Sequence, residues 1–222
     1  MVISIHQPDY IPYWGYFYKI SRCDKFVFLD DCQFSSDNMH HWNKVKTAQG
    51  ELRLKVPVEN KFGDFINSVR TRDELGWKKK HLKTIEMNYT KAPYFKEYFP
   101  KFSELINEDY KTIADMNISI NKWICSGFGF APEFYRSSEL DIHTVNEERV
   151  IDICVLLGGD EYISGNGARA YQVDEHFLER GVKLTYTDYH PFEYKQLWGE
   201  FIPNMSIVDY IFNCGFENPF VK

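Results

Sequence analysis

The sequence predicts an α/β fold in which a mainly parallel, Rossmann-like sheet carries a helical insertion at about residues 77–127. From residue 133 onward, the hydrophobic patterns run strand, helix, strand, helix, strand, which favours a parallel sheet with right-handed crossovers. The chain also opens with a strand, a loop, a helix and a second strand, which fit the same sheet. All 222 residues are therefore expected to form a single α/β domain.

Each element follows from a local pattern. Residues 2–5 are a short β-rich run that ends where two prolines and a glycine force a loop. Residues 25–30 form an apolar run that ends in acid, as a buried parallel strand does. Residues 51–58 alternate polar and apolar side chains, which indicates a half-exposed strand. The remaining predicted strands are 133–136, 161–164 and 182–187, and the predicted helices are 16–21, 77–88, 94–107, 111–126, 147–157, 174–180 and 205–212.

The composition excludes several classes of protein. A hydrophobic fraction of 44% with 26% charged residues is typical of a globular chain and not of a disordered one. A net charge of −6 argues against nonspecific binding to nucleic acid or to anionic membranes. No apolar run approaches the roughly 18 residues of a membrane helix, and the first residues lack the basic region of a signal peptide. No membrane span is predicted.

The five cysteines form no C-x-x-C pair and indicate reduced thiols, so we expect a cytoplasmic protein. Cys125 and Cys154 lie on apolar helix faces and are predicted to be core residues. Cys32, His40 and His41 match no recognised zinc spacing, so no metal site is predicted. No cofactor is predicted, and the sequence leaves both a monomer and a homodimer open.

Polar residues follow four of the predicted strands, at the edge where the carboxyl ends of parallel strands meet. Ligand crevices in such sheets lie beyond that edge, so we expect a small-molecule site there. His6 ends the first strand and is predicted to be a general base, with Asp31 as the second catalytic residue. The predicted substrate-binding residues are Gln7, Asp30, Gln33, Asn43, Lys44, Arg136, Ser137, Ser164, Gly165, Asn166, Arg169 and Asn204.

The two adjacent acids, Asp30 and Asp31, are suited to binding a metal, a sugar hydroxyl or an amine. Adjacent strand residues point to opposite faces, so both can serve one ligand only if the strand has already ended. The planar fork of Arg136 suits a carboxylate or phosphate, although an ion pair with a neighbouring acid explains it equally well.

Two further segments have both a functional and a structural interpretation. Gly165-Asn166-Gly167, followed by Arg169, resembles an anion-binding turn, and a plain turn is the alternative. Asn204 precedes the last helix and is expected to share a pocket with His6, Gln7 and Asp31, or else only to cap that helix. The sequence contains no P-loop, no G-x-G-x-x-G and no G-x-S-x-G motif.

Several motifs, which follow one another along the chain, are similar to those of a known protein family. The first is His6-Gln7-Pro8-x-Tyr10-x-Pro12-x-x-Gly15-Tyr16-Phe17, and the second runs from Phe26 through Asp30-Asp31-x-Gln33-Phe34. The others are residues 77–85, 136–140, 162–165 and 201–209. Together these segments resemble the WbqC-like protein family.

The resemblance implies a role in bacterial surface-polysaccharide biosynthesis, such as the making of O-antigen or nucleotide-sugars. This setting, together with His6, Asp30, Asp31 and Arg136 at one sheet edge, predicts a transferase that acts on a sugar or nucleotide-sugar, with acyl or aminoacyl transfer to an amino group as the reaction class. Two departures leave the substrate open. This chain has His41-Trp42-Asn43 where many members have Asn-Arg-Asn, and Gly165-Asn166-Gly167-Ala168 where many have Gly-Pro-Gly-Gly.

Two alternatives stay open at this point. The strand–P-x-x-G–helix opening is similar to that of nucleotidylyltransferases, which predicts a ligase or nucleotidylyltransferase-like enzyme that uses ATP or CTP with Mg²⁺. The corresponding residues here, Tyr13-Trp14-Gly15-Tyr16, lack that superfamily's histidines. The third hypothesis is a non-catalytic binding protein of an assembly complex, with the aromatic residues 10–18 as its interface.

Overall fold

The computed structural model describes residues 1–220 and divides into two compact units. The first unit consists of Met1–Gln7, Gly15–Asp31 and Phe130–His190. The second consists of Pro8–Trp14, Cys32–Gly129 and the residues from Pro191 onward. That the whole chain behaves as one domain stays a prediction.

The strands and helices follow the predicted order. The strands are β1 (Val2–His6), β2 (Lys25–Phe28), β3 (Trp42–Thr47), β4 (Gly50–Lys55), β5 (Val58–Glu59), β6 (Arg70–Thr71), β7 (Glu133–Arg136), β8 (Glu161–Ser164) and β9 (Lys183–Tyr186). The helices are α1 (Trp14–Ile20), α2 (Trp77–Tyr89), α3 (Phe95–Asn107), α4 (Ile113–Gly127), α5 (Asn146–Leu156), α6 (Asp174–Glu179) and α7 (Ile207–Cys214).

The first unit contains the predicted parallel sheet. Its five strands lie in the order β7-β2-β1-β8-β9, and every neighbouring pair is parallel. This confirms the α/β class. The register places His6, Phe28 and Arg136 level with one another at the carboxyl ends of three adjacent strands. Residues in register on parallel strands point to the same face, so the side chains of His6, Phe28 and Arg136 share one face. His6 and Arg136 lie on either side of Phe28 and are two strand spacings, roughly 10 Å, apart.

Each face of this sheet is covered by helices. On one face Ile3, Ile5 and Val27 pack in a buried apolar cluster with Cys154 of α5 and Phe177 of α6. The core prediction for Cys154 is thereby confirmed, as is that for Cys125, which is buried in the second unit. On the opposite face, Phe26 contacts Tyr16 of α1. His6 lies on this α1 face, with its ring centroid 4.8 Å from that of Tyr16.

The second unit is built on aromatic packing between helices. Phe212 of α7 is fully buried and contacts rings from two other helices. These rings are Tyr89 of α2 and Phe95, Phe99 and Phe102 of α3. Residues 29–132 connect the neighbouring strands β2 and β7, and the predicted helical insertion begins with α2 and ends with α4. Among residues 1–220, no helix has the length and hydropathy that crossing a bilayer requires.

The main difference from the predicted elements is the antiparallel hairpin of β3 and β4. β3 was not predicted because its buried positions include polar Asn43 and Lys46, so the apolar alternation of a strand is missing. The strand predicted at 51–58 ends at Lys55, before Pro57, which has no N–H to continue a ladder. Helix α7 begins two residues later than predicted because Ser206 is its N-cap.

Gly159 provides a test of the packing between α5 and β1. A Cβ atom at this position would lie 2.5 Å from Ile3 Cδ1 and 3.3 Å from the backbone oxygen of Cys154. We expect Gly159→Ala to lower the free energy of unfolding by about 1–3 kcal/mol through overpacking. Urea denaturation measures this, with Gly167→Ala as the control, because a Cβ there meets no atom within 4 Å. Equal stability of the two variants would contradict the close approach.

Candidate functional site

Asp30 is the buried centre of a polar network at the carboxyl edge of the sheet. Its Oδ1 accepts a hydrogen bond from the Ser138 backbone N–H at 3.0 Å, and its Oδ2 accepts one from the Ser138 hydroxyl at 2.8 Å. Arg136 Nε lies 3.1 Å from the same Oδ2. The Asp30 side chain is only 1% exposed. This carboxylate therefore joins the end of β2 to the turn after β7, and its oxygens are occupied by the protein itself.

Asp31 is more accessible and has different partners. Its Oδ1 accepts a hydrogen bond from the Ser137 hydroxyl, and its Oδ2 accepts one from Arg149 Nη2 of α5. The Asp31 side chain is 23% exposed and the Arg149 side chain 15% exposed. Asp31 can thus contact a ligand while its orientation is held by two side chains.

The two acids serve one region because β2 ends early. The strand stops at Phe28, and the Asp30 N–H donates to the carbonyl of Phe28, two residues earlier, in a local turn. Past the strand end, the alternation of side chains no longer applies, and Ser137 contacts both acids. The strand has therefore ended before both acids, as the prediction requires, and their service to one ligand stays a prediction.

His6 and Gln7 lie at the end of the central strand and are half-buried. The Gln7 carbonyl accepts a hydrogen bond from the Tyr16 hydroxyl at 3.1 Å. The carbonyl of Ile5 accepts one from the buried ammonium of Lys19 at 2.9 Å. Helix α1 thus fixes the backbone on both sides of His6.

The β8 end of the edge leads into a short 3-10 helix, Asn166–Ala170. Ser164 is buried, whereas Asn166 and Arg169 of this helix are exposed. Asn166 Oδ1 accepts a hydrogen bond from the Asp188 N–H, and Arg169 Nη2 lies 3.3 Å from Asp188 Oδ1. Gly165 leads into this helix with extended backbone. These two contacts tie the segment to the loop after β9, and its role in binding an anion stays a prediction.

In the second unit, the loop that follows β1 is held by its carbonyl groups. Asn117 Nδ2 of α4 donates to the Pro8 carbonyl at 2.8 Å, and Asn121 Nδ2, one helical turn later, donates to that of Asp9 at 3.1 Å. Asn43 Nδ2 donates to the carbonyls of Tyr10 and Ile11. The Ser206 hydroxyl also donates to the carbonyl of Ile11 at 2.7 Å.

Asn117 and Asn121 were not predicted as loop-holding residues. Their signal was two asparagines four residues apart on a helix whose buried face is otherwise apolar. Asn43 was predicted to bind substrate, and the structure commits its amide nitrogen to the loop and its oxygen to the Lys44 N–H. Lys44 Nζ lies 2.7 Å from Glu51.

The remaining predicted residues lie apart from these bonds. Gln33 is exposed and forms a backbone bridge with Phe65. Asn204 is exposed with φ of 56°, and Ser206 instead of Asn204 caps α7. The pocket predicted to join Asn204 with His6, Gln7 and Asp31 stays a prediction.

Two buried groups have contacts that the sequence did not predict. His40 is fully buried, and its Nδ1 lies 3.1 Å from Asp9 Oδ1, so the loop after β1 also has an acid–histidine contact. Asp209, in the motif at residues 201–209, is buried and accepts hydrogen bonds from the hydroxyls of Tyr89 and Tyr194 and from Gln196 Nε2. Burial raises the pKa of Asp209 above its ordinary value.

A chain of hydrogen bonds joins the same loop to α2. Because the Lys55 carbonyl can only accept, His81 Nε2 donates to it at 3.2 Å, and His81 Nδ1 accepts from the Tyr10 hydroxyl at 3.1 Å. His81 is therefore a neutral imidazole, and burial lowers its pKa to about 4. Burial, followed by the positive charge of Lys55, likewise lowers the pKa of His41 to about 4.

Within residues 1–220, no group of three or more His, Cys, Asp or Glu side chains is arranged to hold a metal ion. The chain is therefore an α/β protein with a polar network at the carboxyl ends of its parallel sheet. A model of the WbqC-like protein family matches residues 7–219, and the chain belongs to that family.

The chain is also similar to a curated relative, "Uncharacterized protein Rv1507c" of Mycobacterium tuberculosis (strain ATCC 25618 / H37Rv). The two are 34% identical over 221 residues, which cover 98% of this chain and 95% of the relative. No solved structure matches the chain significantly.

The Asp30 network predicts a structural cost for neutralising this acid. Asp30→Asn keeps the shape of the side chain but removes the negative charge beside Arg136, so we expect a loss of about 2–3 kcal/mol in unfolding free energy. Chemical denaturation measures the loss. Asp188→Asn is the control, because Asp188 is 77% exposed beside Arg169 and should change stability little. If Asp30→Asn is as stable as this control, the network does not hold the edge.

His41 and His81 predict an acid-sensitive fold. Their folded pKa lies below the unfolded value, so as the pH falls from about 6.5 to about 4 the unfolded chain takes up protons first. Each histidine then costs up to about 1.4 kcal/mol of stability per pH unit in that window. Urea midpoints between pH 6.5 and 5 measure the slope.

Replacing one of the two histidines separates its contribution. His81→Gln keeps a donor for the Lys55 carbonyl and an acceptor for Tyr10 without titrating, so it should flatten the slope. His143→Gln is the control, since His143 is 90% exposed. A slope that is the same in wild type and His81→Gln would show that His81 is not the acid-sensitive group.

Proposed function

We propose that this WbqC-like protein is a cytoplasmic transferase of bacterial surface-polysaccharide biosynthesis. Its substrate class is a sugar or nucleotide-sugar, such as an O-antigen precursor, and its reaction class is acyl or aminoacyl transfer to an amino group. Family membership supports the biological setting. The polar network at the carboxyl edge of the sheet supports a small-molecule site, because that edge is where ligands of parallel α/β sheets bind.

The observation that carries the proposal is the incomplete pairing of Arg149. Its side chain is 15% exposed and bonds to Asp31 through one nitrogen, while its buried Nε has no hydrogen-bond partner within residues 1–220. Buried guanidinium donors are normally satisfied. A carboxylate or phosphate group of a substrate supplies acceptors of the right geometry for this fork.

Arg149 fits this anion-binding role better than the two arginines singled out in the sequence. Arg136 lies beside the buried carboxylate of Asp30. Arg169 is exposed, lies over the Tyr186 ring and pairs with Asp188. We therefore assign recognition of the substrate's negative group to Arg149, with Arg136 holding Asp30 in place.

In the proposed reaction, Asp31 positions the acceptor and His6 is the general base. Asp31, held by Ser137 and Arg149, accepts a hydrogen bond from the substrate amine and orients it. His6 removes a proton from that amine as it attacks the carbonyl carbon of the acyl donor. The new C–N bond forms, the bond to the donor's leaving group breaks, and the leaving group takes the proton from His6.

Mass spectrometry tests this proposal. The protein is incubated with a panel of nucleoside-diphosphate amino sugars and acyl or aminoacyl thioesters, and we expect an added acyl mass on one sugar. A parallel incubation with ATP or CTP and Mg²⁺ in place of the acyl donor tests the nucleotidylyltransferase alternative. A nucleotidyl adduct in that incubation, or no mass change across the panel, contradicts the proposed reaction.

Variants of two arginines that pair with different acids test the role of Arg149. Arg149→Lys keeps the charge but loses the planar fork, so we expect at least tenfold weaker binding of the active sugar, as one lost charge-assisted hydrogen bond implies. Arg180→Lys is the matched control, because Arg180 pairs with Asp152 of α5. Calorimetric titration measures both, and an equal effect of the two variants would argue against a substrate contact by Arg149.

A further inference from the structure

The second unit contains a cleft outside the carboxyl edge of the sheet. Its volume is about 310 Å³, within the lower range of small-molecule sites. It lies between the end of β4 and the start of α2. The lining residues are Lys55, Pro57, Leu75, Trp77, Lys80 and His81.

The floor of the cleft is buried and mainly apolar. Trp77 is 3% and His81 6% exposed, and their rings pack edge to face at 5.1 Å. Trp77 Nε1 donates to Asp73 Oδ1 at 2.8 Å, and both nitrogens of His81 are bonded to Tyr10 and Lys55. The polar atoms of the floor are thus satisfied by the protein, which leaves ring faces, Pro57 and Leu75 to contact a ligand.

The rim of the cleft is positively charged. Lys55 and Lys80 are exposed, and within residues 1–220 neither has a carboxylate partner. The nearby acids are already paired, Asp73 with Lys78 at 2.7 Å and Glu74 with Arg72 at 2.9 Å. A local excess of two positive charges on a chain with a net charge of −6 favours a negatively charged ligand at this point.

From this geometry we propose that the cleft is a second binding site, for a compact organic anion. The ligand's acyl or ring body packs on Trp77, Pro57 and Leu75, and its carboxylate or phosphate lies between Lys55 and Lys80. The proposal does not depend on the function assigned to the carboxyl edge. It requires that both halves of the ligand, its apolar body and its anionic group, contribute to binding, because the floor of the cleft offers apolar contact and its rim offers positive charge.

Phenyl phosphate, which has both halves, is the probe. Two-dimensional ¹H–¹⁵N NMR follows the Trp77 indole signal, assigned by its loss in Trp77→Phe, and a titration gives the affinity. We expect phenyl phosphate to shift this signal. Inorganic phosphate and benzyl alcohol, each with only one half, should bind at least tenfold more weakly, and benzoate should act like phenyl phosphate.

Two double lysine variants, one on the rim and one outside the cleft, serve as test and control. Lys55→Ala with Lys80→Ala should weaken phenyl phosphate binding at least tenfold with an unchanged melting temperature, because both side chains are exposed. Lys79→Ala with Lys83→Ala removes the same charge from exposed positions of α2 outside the lining. It should change the affinity less than twofold.

The proposal is overturned by any of four results. The first is no shift of the Trp77 signal at 10 mM phenyl phosphate, which would place Kd above about 10 mM. The others are equal losses in both double variants, equal binding of benzyl alcohol, and equal binding of inorganic phosphate. Equal losses would indicate only long-range electrostatics, and the last two would indicate a merely apolar or a merely charged surface.

Discussion

The path of the loop after β1 depends on hydrogen bonds from buried amides to its main-chain carbonyls. Ile11 has φ of 38°, which is costly for a β-branched residue by about 1–3 kcal/mol. Its carbonyl accepts hydrogen bonds from Asn43 of the β3–β4 hairpin and from Ser206 at the start of α7. Asn117 of α4 holds the Pro8 carbonyl in the same way. The hairpin, the inserted helix and the final helix therefore all bond to the loop that contains this strained residue.

The edge of the sheet uses neighbouring acids for different purposes. Asp30 is buried and its oxygens are taken by Ser138 and Arg136, so it fixes the turns after β2 and β7. Asp31 is partly exposed and shares its oxygens with Ser137 and Arg149. Of these two adjacent aspartates, Asp30 therefore holds the turns of the site in place, and Asp31 can contact a ligand. Their burial, and not their chemistry, makes the difference.

The sequence predicts the sheet and most helices because their apolar patterns are strong. Residues 133–136 and 161–164 form strands with the predicted bounds, and α2 begins at Trp77 as expected. β3 escapes prediction because Asn43 and Lys46 are buried polar residues on a strand. Their side chains are bonded to distant parts of the chain, the Asn43 amide to the Tyr10 carbonyl and the Lys46 ammonium to the Glu200 carbonyl.

The candidate site was less accessible to sequence reasoning. The predicted edge residues Asp30, Asp31, Arg136 and Ser137 do come together, since sheet topology dictates which strand ends are neighbours. Arg149 carries no local signal, because on a helix it reads as an ordinary surface charge. Its contact with Asp31 depends on how α5 packs on the sheet, which periodicity alone does not give.

The position of β1 in the sheet has a consequence for how the molecule folds. Ile3 pairs with Lys25 on one side and with Tyr162 on the other, so the central strand has one partner nearby in the chain and one far away. The β1–β2 half can form by closing a short loop, whereas the other half must wait for a much longer one. Until β8 pairs with it, β1 is an edge strand although it is central in the finished sheet, and its unpaired backbone groups are exposed to pairing with other chains.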